Sequence, residues 1–168
     1  MEAPPARIEL SGISKAFGTG DAKVQALVDI DLQVHPGEVV GLLGPSGSGK
    51  STLLNIIGCI LEPSGGRMAL DGEPIYDGRW LSKDLRRLRL TKIGFIFQFH
   101  NLIPFLSALE NVALVLELAG RKGAAAREVA SELLDYLQVA HRKEAYPARI
   151  SGREAQRVDE HADRHEEQ

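Results

Sequence analysis

Residues 44–52 read GPSGSGKST, and this stretch decides what kind of fold the chain can form. It carries the pattern G-x-x-x-x-G-K-[ST], a glycine-rich loop that holds phosphate groups. The apolar run EVVGLLG at 38–44 precedes it and predicts a strand buried on both faces. The run STLLNIIGCIL at 51–61 follows at helical length. A strand, a glycine-rich loop and a helix in this order are the context in which the motif binds phosphate.

Each residue type in the loop suits that chemistry. Glycines permit backbone angles that side chains forbid, so successive N–H groups can turn toward an anion, and the helix N-terminus adds positive potential. An ammonium at Lys50 neutralises the β- and γ-phosphates, and the Ser51 hydroxyl can coordinate Mg²⁺. The predicted nucleotide-binding residues of the loop are Gly44, Pro45, Ser46, Gly47, Ser48, Gly49, Lys50, Ser51 and Thr52. The loop alone fits small-molecule kinases, GTPases and transport ATPases.

Composition excludes some other classes of protein. The 168 residues are 43% hydrophobic with a net charge of −3, which predicts a folded chain and gives no electrostatic footprint for nucleic acid. The single cysteine, Cys59, cannot form an intrachain disulfide. We find no apolar run long enough to span a bilayer, and MEAPPARIEL does not resemble a signal peptide. Any membrane role is therefore expected to come through a partner.

Hydrophobic patterns along the chain predict an α/β domain. Alternating residues in 6–17 and 24–34 predict half-buried antiparallel strands, and RMALDGEPI at 67–75 predicts strand character with a turn at Asp71-Gly72. The run KIGFIFQ at 92–98 predicts a second strand buried on both faces.

Three helices are predicted after the loop helix. One starts from a capping serine, Ser82, and the next starts at Ser107, where Ser107 and Glu110 form a capping box. The third is amphipathic and covers 124–140. Helices that alternate with buried strands favour an α/β architecture.

Two further stretches narrow the class. KIGFIFQFHNLIPFLSALENV at 92–112 resembles the glutamine loop and early helical subdomain of ATP-binding cassette (ABC) transporter ATPases. YPARISGREAQRV at 146–158 resembles their signature motif and the helix that it opens. Together with residues 44–66, these stretches resemble the branch that drives lipoprotein release and macrolide-type export, and the resemblance runs from about Ile8 to Val158.

The resemblance implies a P-loop NTPase fold with an N-terminal antiparallel β-subdomain and a helical subdomain. It implies ATP and Mg²⁺ as cofactors, with Phe17 against the adenine and both Ser51 and Gln98 near Mg²⁺. Gln98 would also position the attacking water. Ser151 and Gly152 would contact ATP held by a second subunit in a head-to-tail homodimer.

The resemblance also implies partners and a location. An integral membrane subunit would dock around Gln98 to Leu106, at the cytoplasmic face of the plasma (inner) membrane, and ATP hydrolysis would drive export of a lipid-linked or hydrophobic substrate. Core packing is the alternative role for Leu102, Phe105 and Leu106.

The sequence departs from the family pattern in two places. The signature, Leu-Ser-Gly-Gly followed by Gln or Glu in the family, reads ISGRE at 150–154, and Arg153 threatens a close backbone approach to phosphate. After Val158 the resemblance stops, so we expect a partial nucleotide-binding domain at 1–158 and a charged tail at 159–168. We then expect three family features to be missing: the C-terminal part of the core sheet, the catalytic base and the switch histidine. A truncated or frameshifted reading frame would have this effect.

Within the tail, Asp159-Glu160 follows no apolar strand and is not read as the catalytic acidic pair. His161 and His165 have the spacing of metal ligands on a helix, but a solvated tail fits their surroundings better. Two alternative functions remain. One is a nucleotide-binding module without hydrolysis, and the other is a small-molecule kinase, against which the stretch ISGREAQRV argues.

Overall fold

The structure is a computed structural model that describes residues 5–96 and 101–162. The chain divides into two compact units, residues 1–88 and 89–168. Each unit has its own secondary structure and its own buried residues.

The first unit is built on a four-stranded antiparallel sheet. Its strands are β1 (Ile8–Phe17), β2 (Val24–Val34), β3 (Gly65–Leu70) and β4 (Glu73–Asp77), and their order in the sheet is β2-β1-β3-β4. A 3-10 turn, Gly20–Ala22, lies between β1 and β2. The predicted antiparallel strands are thus confirmed.

The β3–β4 hairpin has the turn that the sequence predicts. Asp71 and Gly72 both have positive φ angles, 52° and 75°, as a tight turn between two twisted strands requires. The buried apolar side chains of these strands include Leu10, Ile13, Leu27, Met68, Leu70 and Ile75.

Helix α1 (Lys50–Ile57) also belongs to the first unit and lies against β2. Its Leu53 and Ile56 are buried, which is the apolar face that the run after the loop predicts. The predicted loop helix is therefore confirmed as far as Ile57; Gly58 is its C-cap, and residues 58–61 of the predicted run lie outside the helix.

The two predicted strands at 38–44 and 92–98 are wrong for the part of the chain that the structure describes. Residues 38–43 and 93–96 form neither a strand nor a helix, and the side chains of Val39 and Leu43 are 99% and 95% exposed. A strand exists only through hydrogen bonds to a neighbour, and no strand lies beside 38–43 among the described residues. An apolar run indicates that a segment prefers to be buried. It does not indicate whether a neighbouring strand is present for it to pair with.

Helix α2 (Leu85–Lys92) spans the boundary between the two units in the sequence. The predicted cap at Ser82 is wrong. The helix starts after Asp84, whose carboxylate accepts a hydrogen bond from the Arg87 N–H at 2.9 Å. Serine and aspartate are both good N-caps, and the sequence offers both within three residues.

The second unit is helical. It contains α3 (Ala108–Leu118), α4 (Ala124–Tyr136) and α5 (Gly152–Ala162), with 3-10 turns at Ala140–Arg142 and Pro147–Arg149. The Ser107–Glu110 capping box is confirmed, and so is the amphipathic helix, although it ends at Tyr136, four residues before the predicted end at 140. The buried core of the second unit consists of Ala108, Val112, Ala113, Leu116, Ala126, Ala130, Leu134, Val139 and Val158. Within the described residues, no helix is both long enough and apolar enough to cross a bilayer.

Candidate functional site

The glycine-rich loop of the first unit runs directly into the N-terminus of α1. Gly44, Gly47 and Gly49 have φ angles of 152°, 82° and 88°, which favour glycine. Gly49 is the N-cap of α1, and its carbonyl accepts the first helical hydrogen bond, from the Leu53 N–H at 2.9 Å. The loop therefore has the backbone shape that lets N–H groups converge at a helix N-terminus.

The Lys50 side chain folds back over this loop. Its ammonium donates to the carbonyl oxygens of Gly44 and Pro45 at 2.9 and 2.7 Å and to the Ser48 hydroxyl at 3.3 Å. All three acceptors are uncharged, so they orient the ammonium without neutralising it. A positive charge held beside a glycine-rich loop fits an anionic ligand such as a phosphate group.

Ser51 and Thr52 lie in the first turn of α1, and Ser51 is exposed. The Ser51 hydroxyl therefore offers an accessible oxygen for Mg²⁺ next to the loop. Its predicted companion Gln98 lies outside the described residues. Among the described residues, no cluster of three or more His, Cys, Asp or Glu side chains could hold a metal by itself.

Phe17 lies at the end of β1 and pairs with Val24 of β2. Two residues further along β2, the Ala26 carbonyl packs against Gly49. The structure thus places the predicted adenine contact and the phosphate loop at neighbouring positions along one strand. The Phe17 ring is partly exposed, and the Lys15 ammonium lies 5.2 Å from its centroid, within range for a cation–π contact.

The signature residues lie in the second unit, where Ser151 precedes the first residue of α5. The Ser151 hydroxyl and N–H both donate to Glu154 Oε2, at 2.6 and 2.9 Å, and the Glu154 N–H donates to the Ser151 hydroxyl at 3.4 Å. This is a reciprocal cap of α5. Gly152 and Arg153 are exposed in its first turn.

The sequence does not reveal the other partners of Glu154. Its Oε1 accepts from Arg142 Nε at 3.0 Å and lies 3.0 Å from His141 Nε2. The two Ser151 hydrogen bonds, followed by those of Arg142 and His141, hold the pKa of Glu154 well below its ordinary value of 4.5. The ionised carboxylate therefore stabilises the fold fully above the ordinary glutamate pKa of 4.5. This contribution is lost as the pH falls from there through the lowered pKa of Glu154.

A buried amide, Asn111, shapes the loop before α3. Its Oδ1 accepts from the Ile103 N–H at 2.7 Å, and its Nδ2 lies within 3.2 Å of the carbonyl oxygens of Ile103, Leu106 and Ser107. Phe105 lies in this loop with its side chain 76% exposed, whereas Leu102 packs against the core of the second unit. The packing role considered for these apolar residues thus applies to Leu102 and not to Phe105.

Asp159 and Glu160 lie within α5. A helix is not the end of an apolar strand, so the structure gives no support to reading this pair as a catalytic acidic pair. The α5 helix continues to Ala162, four residues past the predicted boundary at 158.

The phosphate loop at the start of α1 is the feature of a nucleotide-binding domain, and comparison with known proteins identifies its family. The sequence matches the ABC transporter family over residues 27–159. The chain belongs to the ABC transporter family.

Individual relatives are consistent with this assignment. The lipoprotein-releasing system ATP-binding protein LolD 2 of Caulobacter vibrioides is 46% identical over 152 residues, and the LolD protein of Hyphomonas neptunium is 45% identical. Each alignment covers 90% of this chain and 65% of the relative, so the chain spans about two thirds of the length of these proteins. A Staphylococcus haemolyticus ATP-binding protein named for hemin import is 43% identical over 90% of this chain and 67% of its own length.

Solved structures show the same fold. The ATP-binding cassette MJ0796, determined as a dimer in a post-hydrolysis state bound to ADP and Pi, superposes with a TM-score of 0.79 at 36% identity. The match covers 92% of this chain and 68% of that chain. The predicted ABC ATPase fold class is thereby confirmed.

Proposed function

We propose that the chain is the ATP-binding portion of an ABC transporter subunit of the lipoprotein-release type. The observation that supports this proposal most directly is the phosphate loop, where the Lys50 ammonium lies on the carbonyl oxygens of Gly44 and Pro45 beside positive-φ glycines at the start of α1. The triphosphate of ATP would occupy this loop, Ser51 would ligate Mg²⁺ and Phe17 would stack on the adenine.

Identity to the LolD proteins supports a lipid-linked or hydrophobic export substrate. These relatives are named for lipoprotein release, and 46% identity extends over 90% of this chain. The location that follows is the cytoplasmic face of the inner membrane, where the subunit would be attached through an integral partner. A head-to-tail homodimer would complete each ATP site with Ser151 and Gly152 of the second copy. The dimeric state of MJ0796 supports a dimer as such.

Hydrolysis is proposed to require more than these 168 residues. Phosphoryl transfer to water needs an oriented base as well as charge neutralisation. Lys50, Ser51 and the loop amides provide the neutralisation, but the described residues include no Asp-Glu pair at the end of a strand. An isolated polypeptide of this sequence is therefore proposed to act as a nucleotide-binding module.

Phosphate release without an added acceptor tests these alternatives. We expect the 168-residue polypeptide to release phosphate at least a hundredfold more slowly than a chimera that carries the remaining third of the Caulobacter relative. Both proteins would be assayed at equal nucleotide occupancy. Equal turnover would show that the base lies within this chain, and turnover only with an added acceptor would favour a kinase.

Phe105 is proposed to contact the membrane subunit. Substitution by aspartate places a charge where an apolar partner surface would desolvate it, so co-purification with the membrane subunit of the same transporter should fall at least tenfold. Leu118→Asp is the matched control, because Leu118 is also an exposed apolar residue but lies at the far end of α3, about 15 Å along the helix from Ala108. Equal losses in both variants would argue against this surface.

A further inference from the structure

One carboxylate connects a 3-10 turn to the signature serine. Glu154 uses Oε1 for Arg142 and His141 and Oε2 for the N–H and hydroxyl of Ser151. The Glu154 side chain is only 12% exposed. The turn that supplies the basic side chains, Ala140–Arg142, is fixed by the hydrogen bond from the Arg142 N–H to the carbonyl of Val139, which is fully buried. The backbone of Arg142 is thus held in this turn, from which its side chain, 40% exposed, reaches the carboxylate.

The Ser107–Glu110 capping box shows what an ordinary cap of this type looks like in the same unit. Glu110 also pairs with an arginine, Arg127, at 3.2 Å, but its side chain is 37% exposed. The Glu154 carboxylate is more buried, and two consecutive basic residues face it. Helix capping needs only the serine and the glutamate, so the basic pair at Glu154 calls for a further explanation.

The hydrogen bond between Ser151 and Glu154 sets the direction of the serine hydroxyl. Oγ donates its single proton to Glu154 and accepts from the Glu154 N–H, so its position and orientation are both fixed. To donate to a phosphate oxygen, the hydroxyl must turn away from Glu154. A carboxylate that shares its charge with Arg142 competes less strongly for that proton than an unpaired carboxylate would.

We propose that Arg142 is a positioning residue that acts through Glu154 to hold Ser151 ready to donate a hydrogen bond to a nucleotide phosphate on a second copy of this chain. The inference rests on the proposed function, because it takes ATP in the phosphate loop of that second copy as the ligand. The inference assigns a role at the ATP site to a residue that lies outside both the phosphate loop and the signature motif.

The first test follows the Ser151 amide proton by NMR during an acid titration of the full 168-residue chain. The Ser151 N–H donates to the carboxylate, so its chemical shift should report protonation of Glu154. In the parent the transition should lie below the usual glutamate range. Arg142→Gln should move it to higher pH, because the ionised carboxylate loses a charged partner, whereas Arg142→Lys should restore part of the shift.

The second test measures ATP-dependent self-association by sedimentation velocity with Mg-ATP. Arg142→Gln should weaken association about tenfold, which is the usual effect of losing one charge-assisted hydrogen bond. Arg142→Lys should recover part of it. Arg127→Gln is the matched control, because it removes the arginine from the other capping box and should match the parent in both tests.

Nucleotide affinity of the monomer separates this inference from the proposed function. The Arg142 variants should bind ATP as the parent does, and a parent that binds no ATP would refute the proposed function itself. If the parent binds ATP without associating, the contact with a second copy is wrong although ATP binding stands. If Arg142→Gln leaves both the titration and the association unchanged, or if Arg127→Gln disturbs them equally, Arg142 has no positioning role.

Discussion

Replacing Lys50 with alanine is expected to lower the affinity for Mg-ATP at least a hundredfold. The Lys50 ammonium lies against the loop carbonyls of Gly44 and Pro45, and its hydrogen-bond acceptors among the described residues are uncharged, so its charge is available to the phosphates. Charge-assisted hydrogen bonds to a phosphate contribute about 1.5–3 kcal/mol each, and the ammonium can make more than one. Titration calorimetry with Mg-ATP gives the comparison directly.

The control for this substitution is Lys122→Ala, which removes an exposed lysine in the second unit. It should bind ATP like the parent. Circular dichroism shows whether Lys50→Ala is still folded. This check is needed because the Lys50 hydrogen bonds also hold the loop. If folded Lys50→Ala bound ATP as tightly as the parent, the phosphate-binding role of the loop would be refuted.

Gly49→Ala is expected to destabilise the first unit by about 3–5 kcal/mol. Gly49 has a φ angle of 88°, where a side chain is strained, and an added Cβ would lie 2.6 Å from the Ala26 carbonyl oxygen and 2.8 Å from Leu27 Cδ2. The carbonyl belongs to the backbone of β2, near the start of the strand, and a backbone atom gives way less easily than the end of a flexible side chain. Chemical denaturation monitored by circular dichroism measures the change in unfolding free energy.

Gly47→Ala is the comparison that isolates the clash. Gly47 has a similar φ angle of 82°, but an added Cβ there would meet no atom within 4 Å. Its substitution should therefore cost only the backbone strain, about 1–2 kcal/mol. Equal costs at the two positions would mean that α1 can shift away from β2, and that the contact between Gly49 and β2 does not fix the loop.

The sequence predicts features that depend on near neighbours better than those that depend on distant ones. The Ser107–Glu110 capping box and the turn at Asp71-Gly72 are confirmed, because four consecutive residues contain all the chemistry involved. The strand predicted at 38–44 depends on a pairing partner elsewhere in the chain, and that prediction fails. Hydrophobicity alone carries no information about such a partner.

In the candidate site, too, features set by near neighbours in the sequence are predicted better than features set by distant residues. The phosphate loop is a contiguous motif, and its glycine conformations and the start of α1 agree with the prediction. The cap between Ser151 and Glu154 could also be recognised from its S-x-x-E spacing. Arg142 could not, since it precedes Glu154 by 12 residues and reaches it only because the chain turns between them. The sequence does not indicate the role of Asn111 either, because its partners lie 4 to 8 residues before it and no spacing motif marks them.

The hydrogen bonds of Asn111 have a consequence for how this subunit can change its partner during evolution. One amide fixes the backbone of the loop through Ile103, Leu106 and Ser107, and the Phe105 side chain takes no part in that arrangement. Natural selection can therefore exchange the residue at 105 while the loop keeps its shape and the helical core stays intact. Under the proposed contact between Phe105 and a membrane subunit, a single substitution at 105 would change recognition of that subunit without changing the fold of the loop.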